Sequence, residues 1–296
     1  SVYRLSVLLK EEIDPALLQK ALDMTLPRFP TYKVAIRKGL FWRYLEPNNR
    51  PGPFVTPDIR NPCMPMPFKA NNRYLLRVYY YGRRISLEAH HCLGDGTGGM
   101  CVLQTLTAVY LGLLGHSITP SGFVLDIQGT PDAEELEDAY MRYANARVRP
   151  PRPGEKTYRV RGTKEPFYTL NIIDGIMSVK EVMAVARKYD ATLTEYLNAV
   201  LLYALLQKQE NDVPFRFRPV KIAMPVNLRR FFPSRTLRNF ITMVYPSIDP
   251  RLGDYTFAEI VDQVHHYMKY YISEKFLRGD ITTNAATQRN PVIRIV

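Results

Sequence analysis

Hydrophobic and polar residues alternate in regular patterns that divide the first third of the chain into strands and helices. A strand is predicted at 3–9, and a helix follows that begins at Asp14 and Pro15. The aspartate can accept hydrogen bonds from the first turn, and proline fits the first helical position. Two hairpins are predicted next, at 32–46 and 74–91, on either side of a proline-rich loop. The glycine-rich run at 94–99 therefore starts just after the second strand of the second hairpin.

Beyond these glycines the apolar residues recur every three or four positions, which predicts an amphipathic helix ending at Gly115. The glycine run is thus a strand-to-helix loop. From 130 to 164 the pattern dissolves into an acidic segment, predicted to be a short helix, and a basic segment with several prolines. We interpret the second segment as a surface linker with a domain boundary near Gly162.

The order of the first elements recurs after this linker. A strand at 167–173 precedes a helix at 178–190, which suggests two related halves, 1–164 and 165–296. A second helix starts at Thr192 and Glu195, which have the spacing of a capping box, and its apolar residues on nearly all sides predict burial. The segment 220–231 is expected to form a strand that leads into a turn at Pro225. Another strand is expected at 241–248, and one long helix at 257–277. The strand-like end at 290–296 predicts that the second half is incomplete.

Composition narrows the class of protein. The 296 residues are 46% hydrophobic and 23% charged, and no apolar run reaches the roughly 20 residues of a membrane span. Three irregularly spaced cysteines predict a reducing compartment, the cytoplasm, and the first residues do not resemble a signal peptide. The net charge of +12 is spread along the chain without a nucleic-acid-binding motif. We therefore expect no nucleic acid. The charge indicates either a solvated basic surface or a site for a small anion or an acidic protein partner.

The segment 86–100, "SLEAHHCLGDGTGGM", carries the candidate chemistry and allows several interpretations. Gly94, Gly96 and Gly99 match the G-x-G-x-x-G pattern of an NAD(P)-binding oxidoreductase, with Asp126 as the residue for the ribose. The preceding strand is too polar for a parallel sheet covered on both faces. A metal site is also conceivable, but only His90 and Cys92 would point to the same side of a strand, so no bound metal is expected. The simplest alternative is a glycine turn without chemistry.

The same segment contains H-H-x-x-x-D-G, and here the chain resembles the acyltransferases with the chloramphenicol acetyltransferase fold. These include peptide-synthetase condensation domains, BAHD enzymes, polyketide-associated acyltransferases and alcohol acetyltransferases, and the alcohol-acetyltransferase-like branch is the most similar. The segments at 18–36 and 188–205 are also similar, and "MPVNLRR" at 224–230 matches the PVxxR segment. The DFGWG motif of the BAHD branch is absent from the chain.

The resemblance implies an α/β fold of two similar halves that enclose an active-site tunnel. It implies transfer of an acyl group from acyl-CoA or an acyl carrier protein to an alcohol or amine, without a permanently bound cofactor. His91 is the expected general base, and His90 shapes the loop. Asp95 is expected to pair with Arg229, and Gly96 to permit a conformation or close approach that a side chain would block. Asn239 and Thr242 are candidate substrate-binding residues for the oxyanion. A non-catalytic domain that binds a carrier protein is the alternative within the same fold.

Overall fold

The computed structural model describes residues 1–40, 43–59, 61–67, 69, 71–145, 156–163, 165–166, 169–212 and 217–289. The first half contains six strands and two long helices. In chain order they are β1 (Val2–Leu8), α1 (Pro15–Thr25), β2 (Val34–Lys38), β3 (Arg43–Pro47), β4 (Val55–Pro57), β5 (Leu76–Tyr81), β6 (Arg84–His90) and α2 (Gly96–Leu113). The two predicted hairpins and both predicted helices of this half are confirmed.

Four of these strands form one sheet in the order β1-β6-β5-β4. Strand β6 runs antiparallel to both of its neighbours, whereas β4 runs parallel to β5. The turn between β5 and β6 contains Gly82 with φ at +52°, a left-handed conformation that glycine adopts without strain. The strand that ends at the glycine loop is therefore held on both edges, which fixes the position where the loop begins.

The two faces of this sheet differ in polarity. Every second residue of β6, namely Ile85, Leu87 and Ala89, is buried in the apolar core formed with α1 and α2. On the opposite face Glu88 is equally buried but ion-paired with Arg4, at 2.8 Å, and with Arg77, at 3.1 Å. The alternation of β6 thus gives the sheet one apolar face and one face of paired charges, and the polar residues of "SLEAHH" do not weaken the strand.

The described chain after α2 contains four short strands and α-helices of four to twenty residues. In chain order they are α3 (Ala133–Leu136), α4 (Ala139–Tyr143), α5 (Val179–Arg187), α6 (Leu193–Asp212), β7 (Val220–Lys221), β8 (Met224–Asn227), β9 (Ile241–Val244), β10 (Ser247–Ile248), α7 (Phe257–Tyr271) and α8 (Glu274–Arg289). Strands β8 and β9 form an antiparallel pair, as do β7 and β10. The acidic segment forms α3 and α4. The domain boundary near Gly162 stays a prediction.

Helix α6 departs from its predicted full burial. Its capping box is present, since Thr192 and Glu195 exchange backbone-to-side-chain hydrogen bonds of 2.8 and 3.3 Å. Ala199 and Leu202 are completely buried, whereas Leu201 is 50% exposed. Only one side of the helix packs into the core that it shares with α7. The predicted burial of this helix is therefore correct for one side only.

Three other predicted elements also differ from the structure. Residues 169–173, most of the strand predicted at 167–173, have no regular structure, and 167 and 168 lie outside the described residues. The long helix predicted at 257–277 is interrupted at Ile272 and Ser273, between α7 and α8. The strand-like end at 290–296 lies outside the described residues. Within the described parts of the chain, no helix is long and apolar enough to cross a membrane.

Candidate active site

Asp95 sets the geometry of the strand-to-helix loop. Strand β6 ends at His90 and α2 begins at Gly96, so only five residues make the connection. The Asp95 carboxylate accepts hydrogen bonds from the backbone N–H groups of Thr97 at 3.0 Å and Gly98 at 3.3 Å. An aspartate at this position satisfies N–H groups that have no partner within the helix. The motif aspartate is thus the N-cap of α2.

Residues of the second half donate the other hydrogen bonds that the Asp95 carboxylate accepts. Its Oδ2 atom accepts a hydrogen bond from Nη1 of Arg229 at 2.8 Å and another from the backbone N–H of Phe240 at 2.9 Å. Arg229 also donates to the carbonyl oxygens of Thr236 and Arg238. Asp95 is 1% exposed. The pair expected from the resemblance is therefore present, and it leaves this carboxylate no open side for a substrate.

His91 has a different environment. Its imidazole is half-buried and lies against the ring of Tyr3, with 4.6 Å between the ring centroids. Its backbone carbonyl accepts a 2.5 Å hydrogen bond from the side-chain amide of Asn239. In the described part of the chain, the imidazole nitrogens have no hydrogen-bonding partner. The backbone of His91 is therefore held from the second half while its ring nitrogens stay available.

Burial lowers the pKa of the His91 imidazole below its usual value. The Asp95 carboxylate acts in the opposite direction, towards a higher pKa. A lowered pKa favours the neutral imidazole, the form that can accept a proton, at neutral pH. The electrostatics of the loop are thus those expected of a general base.

The imidazole of His90 contacts Cys92, a residue of the same loop. Its Nδ1 atom lies 3.0 Å from the sulfur of Cys92 and accepts a hydrogen bond from the Cys92 backbone N–H at 3.3 Å. The two residues that could have formed a metal site thus contact each other. Nowhere in the described ranges do three or more His, Cys, Asp or Glu side chains gather in a metal-binding arrangement.

The glycines of the loop make room for two tyrosines and one carbonyl. A Cβ atom on Gly94 would lie 2.5 Å from the hydroxyl of Tyr32, and one on Gly98 would lie 2.0 Å from the Leu237 carbonyl. A Cβ atom on Gly99 would lie 2.5 Å from the hydroxyl of Tyr3. Such distances exclude a side chain unless the neighbouring tyrosines or the backbone move. These glycines let the loop lie directly on the core tyrosines and on the second half.

Gly96 has no close neighbour in the described part of the protein. No atom outside its own helix lies within 4 Å of the position of a Cβ atom, and its φ angle is not in the left-handed region. A side chain at this position would point into open space. No packing among the described residues therefore requires a glycine at position 96, whereas Gly94, Gly98 and Gly99 do permit a close approach. That Gly96 makes room for a substrate stays a prediction.

Because Gly98 has a close neighbour that Gly96 lacks in the described structure, alanine at position 98 should change the stability of the protein more than alanine at position 96. Gly98→Ala is expected to lower the free energy of unfolding by about 1–3 kcal/mol, because the new methyl group would collide with the Leu237 backbone. Gly96→Ala is the matched control, and helix propensity alone should keep its change within about 1 kcal/mol. Urea-induced unfolding of both variants measures the difference. Equal stabilities would contradict the packing described for Gly98.

The two candidate substrate-binding residues are both engaged within the protein. Asn239 binds the backbone of His91, and the buried Thr242 donates a 3.2 Å hydrogen bond to Asp280. Burial raises the pKa of the Asp280 carboxyl. Asn239 thus lies at the loop, whereas the hydroxyl of Thr242 is directed to α8. Their assignment to substrate stays a prediction.

Two tyrosines that pack against the loop, Tyr3 and Tyr32, were missed in the sequence. Tyr3 lies on β1 with its hydroxyl 3.2 Å from the Asp95 carbonyl and 3.4 Å from the hydroxyl of Tyr32. Both residues belong to segments far from the motif along the chain. Their only signal in the sequence is that tyrosines take the place of aliphatic residues in a core strand and after a core helix.

Sheet topology decides against the nicotinamide dinucleotide interpretation. A dinucleotide-binding loop follows a strand of a parallel sheet, whereas β6 is antiparallel to both neighbours. Asp126, the proposed ribose ligand, lies in a turn where its carboxylate accepts a hydrogen bond from the backbone of Gln128 at 2.9 Å. The dinucleotide interpretation is therefore wrong.

Comparisons with known proteins were made on sequence and on structure. No protein-family model matches the chain, and no curated protein sequence does. Solved structures do match. Polyketide synthase associated protein 5 from Mycobacterium tuberculosis is 16% identical with a TM-score of 0.59, and the match covers 94% of this chain and 71% of that one.

Two further matches come from other kinds of protein. TRI101 from F. sporotrichioides, solved with coenzyme A and T-2, is 11% identical with a TM-score of 0.59, and the match covers all of this chain and 76% of that one. The first condensation domain of the calcium-dependent antibiotic synthetase is 16% identical with a TM-score of 0.52, covering 94% and 70%. Together with the α/β architecture described above, these matches show that the chain has the two-lobed chloramphenicol acetyltransferase-like fold.

Proposed function

We propose that this chain is an acyltransferase that moves an acyl group from a thioester to an alcohol or amine, with His91 as the general base. One observation carries the proposal: the motif carboxylate is fully occupied by Arg229 and backbone N–H groups, while the neighbouring imidazole keeps its nitrogens available. The Asp95–Arg229 ion pair can then hold the loop in place, while the imidazole of His91 accepts a proton. The fold is one in which acyltransferases and condensation domains occur.

The reaction requires one group to move a proton twice. Neutral His91 takes the proton of the acceptor O–H or N–H as that atom attacks the thioester carbonyl. The resulting imidazolium then gives the proton to the departing thiolate as the C–S bond breaks. Histidine can do both near neutral pH because its usual pKa is about 6.5. Asp95 takes no part in the proton transfer, and Arg229 acts only by holding Asp95.

We propose that the donor is a thioester of coenzyme A or of an acyl carrier protein. We also propose that donor and acceptor enter a tunnel between the two halves from opposite faces. The net charge of +12 suits the phosphates of the first and the acidic surface of the second. The open space beside Gly96 lies next to the loop that carries His91. We place the reaction in the cytoplasm, where the three unpaired cysteines would stay reduced.

A thiol-release screen tests the proposed function. Acyl-CoA thioesters of increasing chain length are combined with alcohols and amines, and free thiol is measured with and without acceptor, with His91→Ala as control. Acceptor-dependent release by the wild type alone would support the proposal. If only a loaded carrier protein serves as donor, the condensation-like variant of the function is favoured. Binding of a carrier protein without any release would favour the non-catalytic alternative and contradict the proposal.

The pH dependence of the reaction follows from the environment of His91. Because burial lowers its pKa, the imidazole stays neutral to a lower pH than an exposed histidine would. The ratio kcat/KM should therefore rise with pH on the acid side, with a midpoint below the ordinary histidine value of about 6.5. A pH–rate profile with the best donor measures this midpoint. A midpoint above that value would contradict the environment described for His91.

A further inference from the structure

An aromatic residue of β1 contacts the proposed base, although 88 positions separate the two residues along the chain. Tyr3 is the second residue of β1 and pairs with Ala89 of β6, one residue before His90. Its ring centroid lies 4.6 Å from that of His91, with the planes tilted by 46°. Among the described residues, Tyr3 is the aromatic residue in ring contact with His91. It therefore limits the orientations open to the imidazole.

The position of Tyr3 is itself fixed from several sides. Its hydroxyl donates to the carbonyl of Asp95 at 3.2 Å and lies 3.4 Å from the hydroxyl of the fully buried Tyr32. Gly99 in the first turns of α2 leaves the space that its ring fills. A side chain held by a strand, a helix and a loop has little freedom to move.

We propose that Tyr3 is the positioning residue of the base: its ring holds the His91 imidazole in the orientation that faces the substrate. This inference rests on the proposed function and adds a residue that the motif does not contain. The residue acts through His91 and touches no reacting atom. Its ring and its hydroxyl have separable tasks, since the ring contacts the imidazole and the hydroxyl contacts the loop backbone.

The separation of tasks leads to a series of variants. Tyr3→Phe keeps the ring and removes the hydroxyl, and the Asp95 carbonyl still accepts a hydrogen bond from the Gly99 backbone at 3.0 Å. Tyr3→Leu and Tyr3→Met keep an apolar side chain and remove the ring. Tyr32→Phe is the matched control, because it removes the hydroxyl beside Tyr3 without changing the ring next to His91.

We expect the kcat of Tyr3→Leu and Tyr3→Met to fall by about tenfold to a hundredfold, because a misplaced catalytic group loses that much rate. The KM for donor and acceptor should change by less than about threefold. Tyr3→Phe and Tyr32→Phe should keep kcat within about threefold of the wild type. A purely structural role of Tyr3 would instead lower the amount of folded protein and leave the kcat of that fraction unchanged.

Proton NMR tests the contact without relying on turnover. The chain has five histidines, so single His→Gln variants assign the ring signals of His91. In the wild type these signals should show cross-relaxation with the Tyr3 ring and an upfield displacement, which persists in Tyr3→Phe and disappears in Tyr3→Leu. Absence of the cross-relaxation in the wild type overturns the inference even if both ring-deleted variants fail to fold.

The two assays also separate this inference from the proposed function. A ring contact observed by NMR in a protein that transfers no acyl group would overturn the proposed function and the positioning role with it, while leaving the geometry intact. Acyl transfer that is unchanged in Tyr3→Leu would overturn the positioning role alone.

Discussion

Replacement of His91 by alanine is expected to lower kcat by about 10²–10⁴-fold, because the reaction loses the group that takes and returns the proton. The fold should survive. The imidazole is half-buried, its nitrogens have no partner in the described part of the chain, and the hydrogen bond from Asn239 reaches the backbone of residue 91. Steady-state rates of acceptor-dependent thiol release measure the loss, and circular dichroism checks the fold.

A histidine outside the site provides the control for this variant. His116 lies exposed just after α2, and His116→Ala should keep the wild-type rate. A His91→Ala protein that is folded and as active as the wild type would remove His91 from the mechanism. The sequence motif would then mark a structural loop in this chain.

Replacement of Arg229 by alanine should destabilise the protein by about 3–5 kcal/mol, because it leaves the Asp95 carboxylate buried without its cation. The backbone N–H groups of Thr97, Gly98 and Phe240 still reach that carboxylate, so the lower part of this range is expected. Loss of the pair also removes a contact between the halves. Urea unfolding monitored by circular dichroism measures the change.

An exposed arginine nearby gives the matched comparison. Arg235 pairs with Asp132 at 2.8 Å, but the side chains are 62% and 41% exposed. Arg235→Ala should therefore cost less than about 1 kcal/mol. If Arg229→Ala is no more destabilising than Arg235→Ala, the anchoring role of the Asp95 pair is contradicted.

The sequence predicts most of the first half because its signals are local. Asp14 and Pro15 mark the start of α1 without reference to the remainder of the fold, and the N-cap of that helix is present as expected. The hairpin at Gly82 is likewise determined by a few adjacent residues. Elements with such signals are predicted with correct type and nearly correct bounds.

Features that depend on distant segments are predicted poorly. The apolar residues of α6 do not reveal that only one side of the helix meets α7, so exposed residues such as Leu201 were expected to be buried. The break after α7 has no proline or glycine to mark it. It results from tertiary packing, since α8 buries Leu277 and Ile281 beside Phe232 and Phe240.

Prediction of the candidate site from the sequence is limited in the same way by contacts between distant segments. The motif and the PVxxR segment were enough to predict that Asp95 and Arg229 meet, although they lie 134 positions apart in the sequence. Spacing alone cannot distinguish glycines that touch another segment from one that faces open space, so Gly96 was assigned the role of its neighbours. Tyr3 lies beside His91 only because β1 pairs with β6, a contact that no local pattern indicates.

Chemical rescue of a His91→Gly variant tests whether the imidazole of His91 is the base. The variant removes the base but leaves the Asp95–Arg229 pair in place, and added imidazole can enter the space that the ring vacates. We expect added imidazole to restore acceptor-dependent thiol release by His91→Gly in proportion to the concentration of neutral imidazole. We expect no such effect of imidazole on an Asp95→Asn variant. A His91→Gly variant that is folded, binds imidazole in the vacated space and stays inactive would contradict the assignment of His91 as the base.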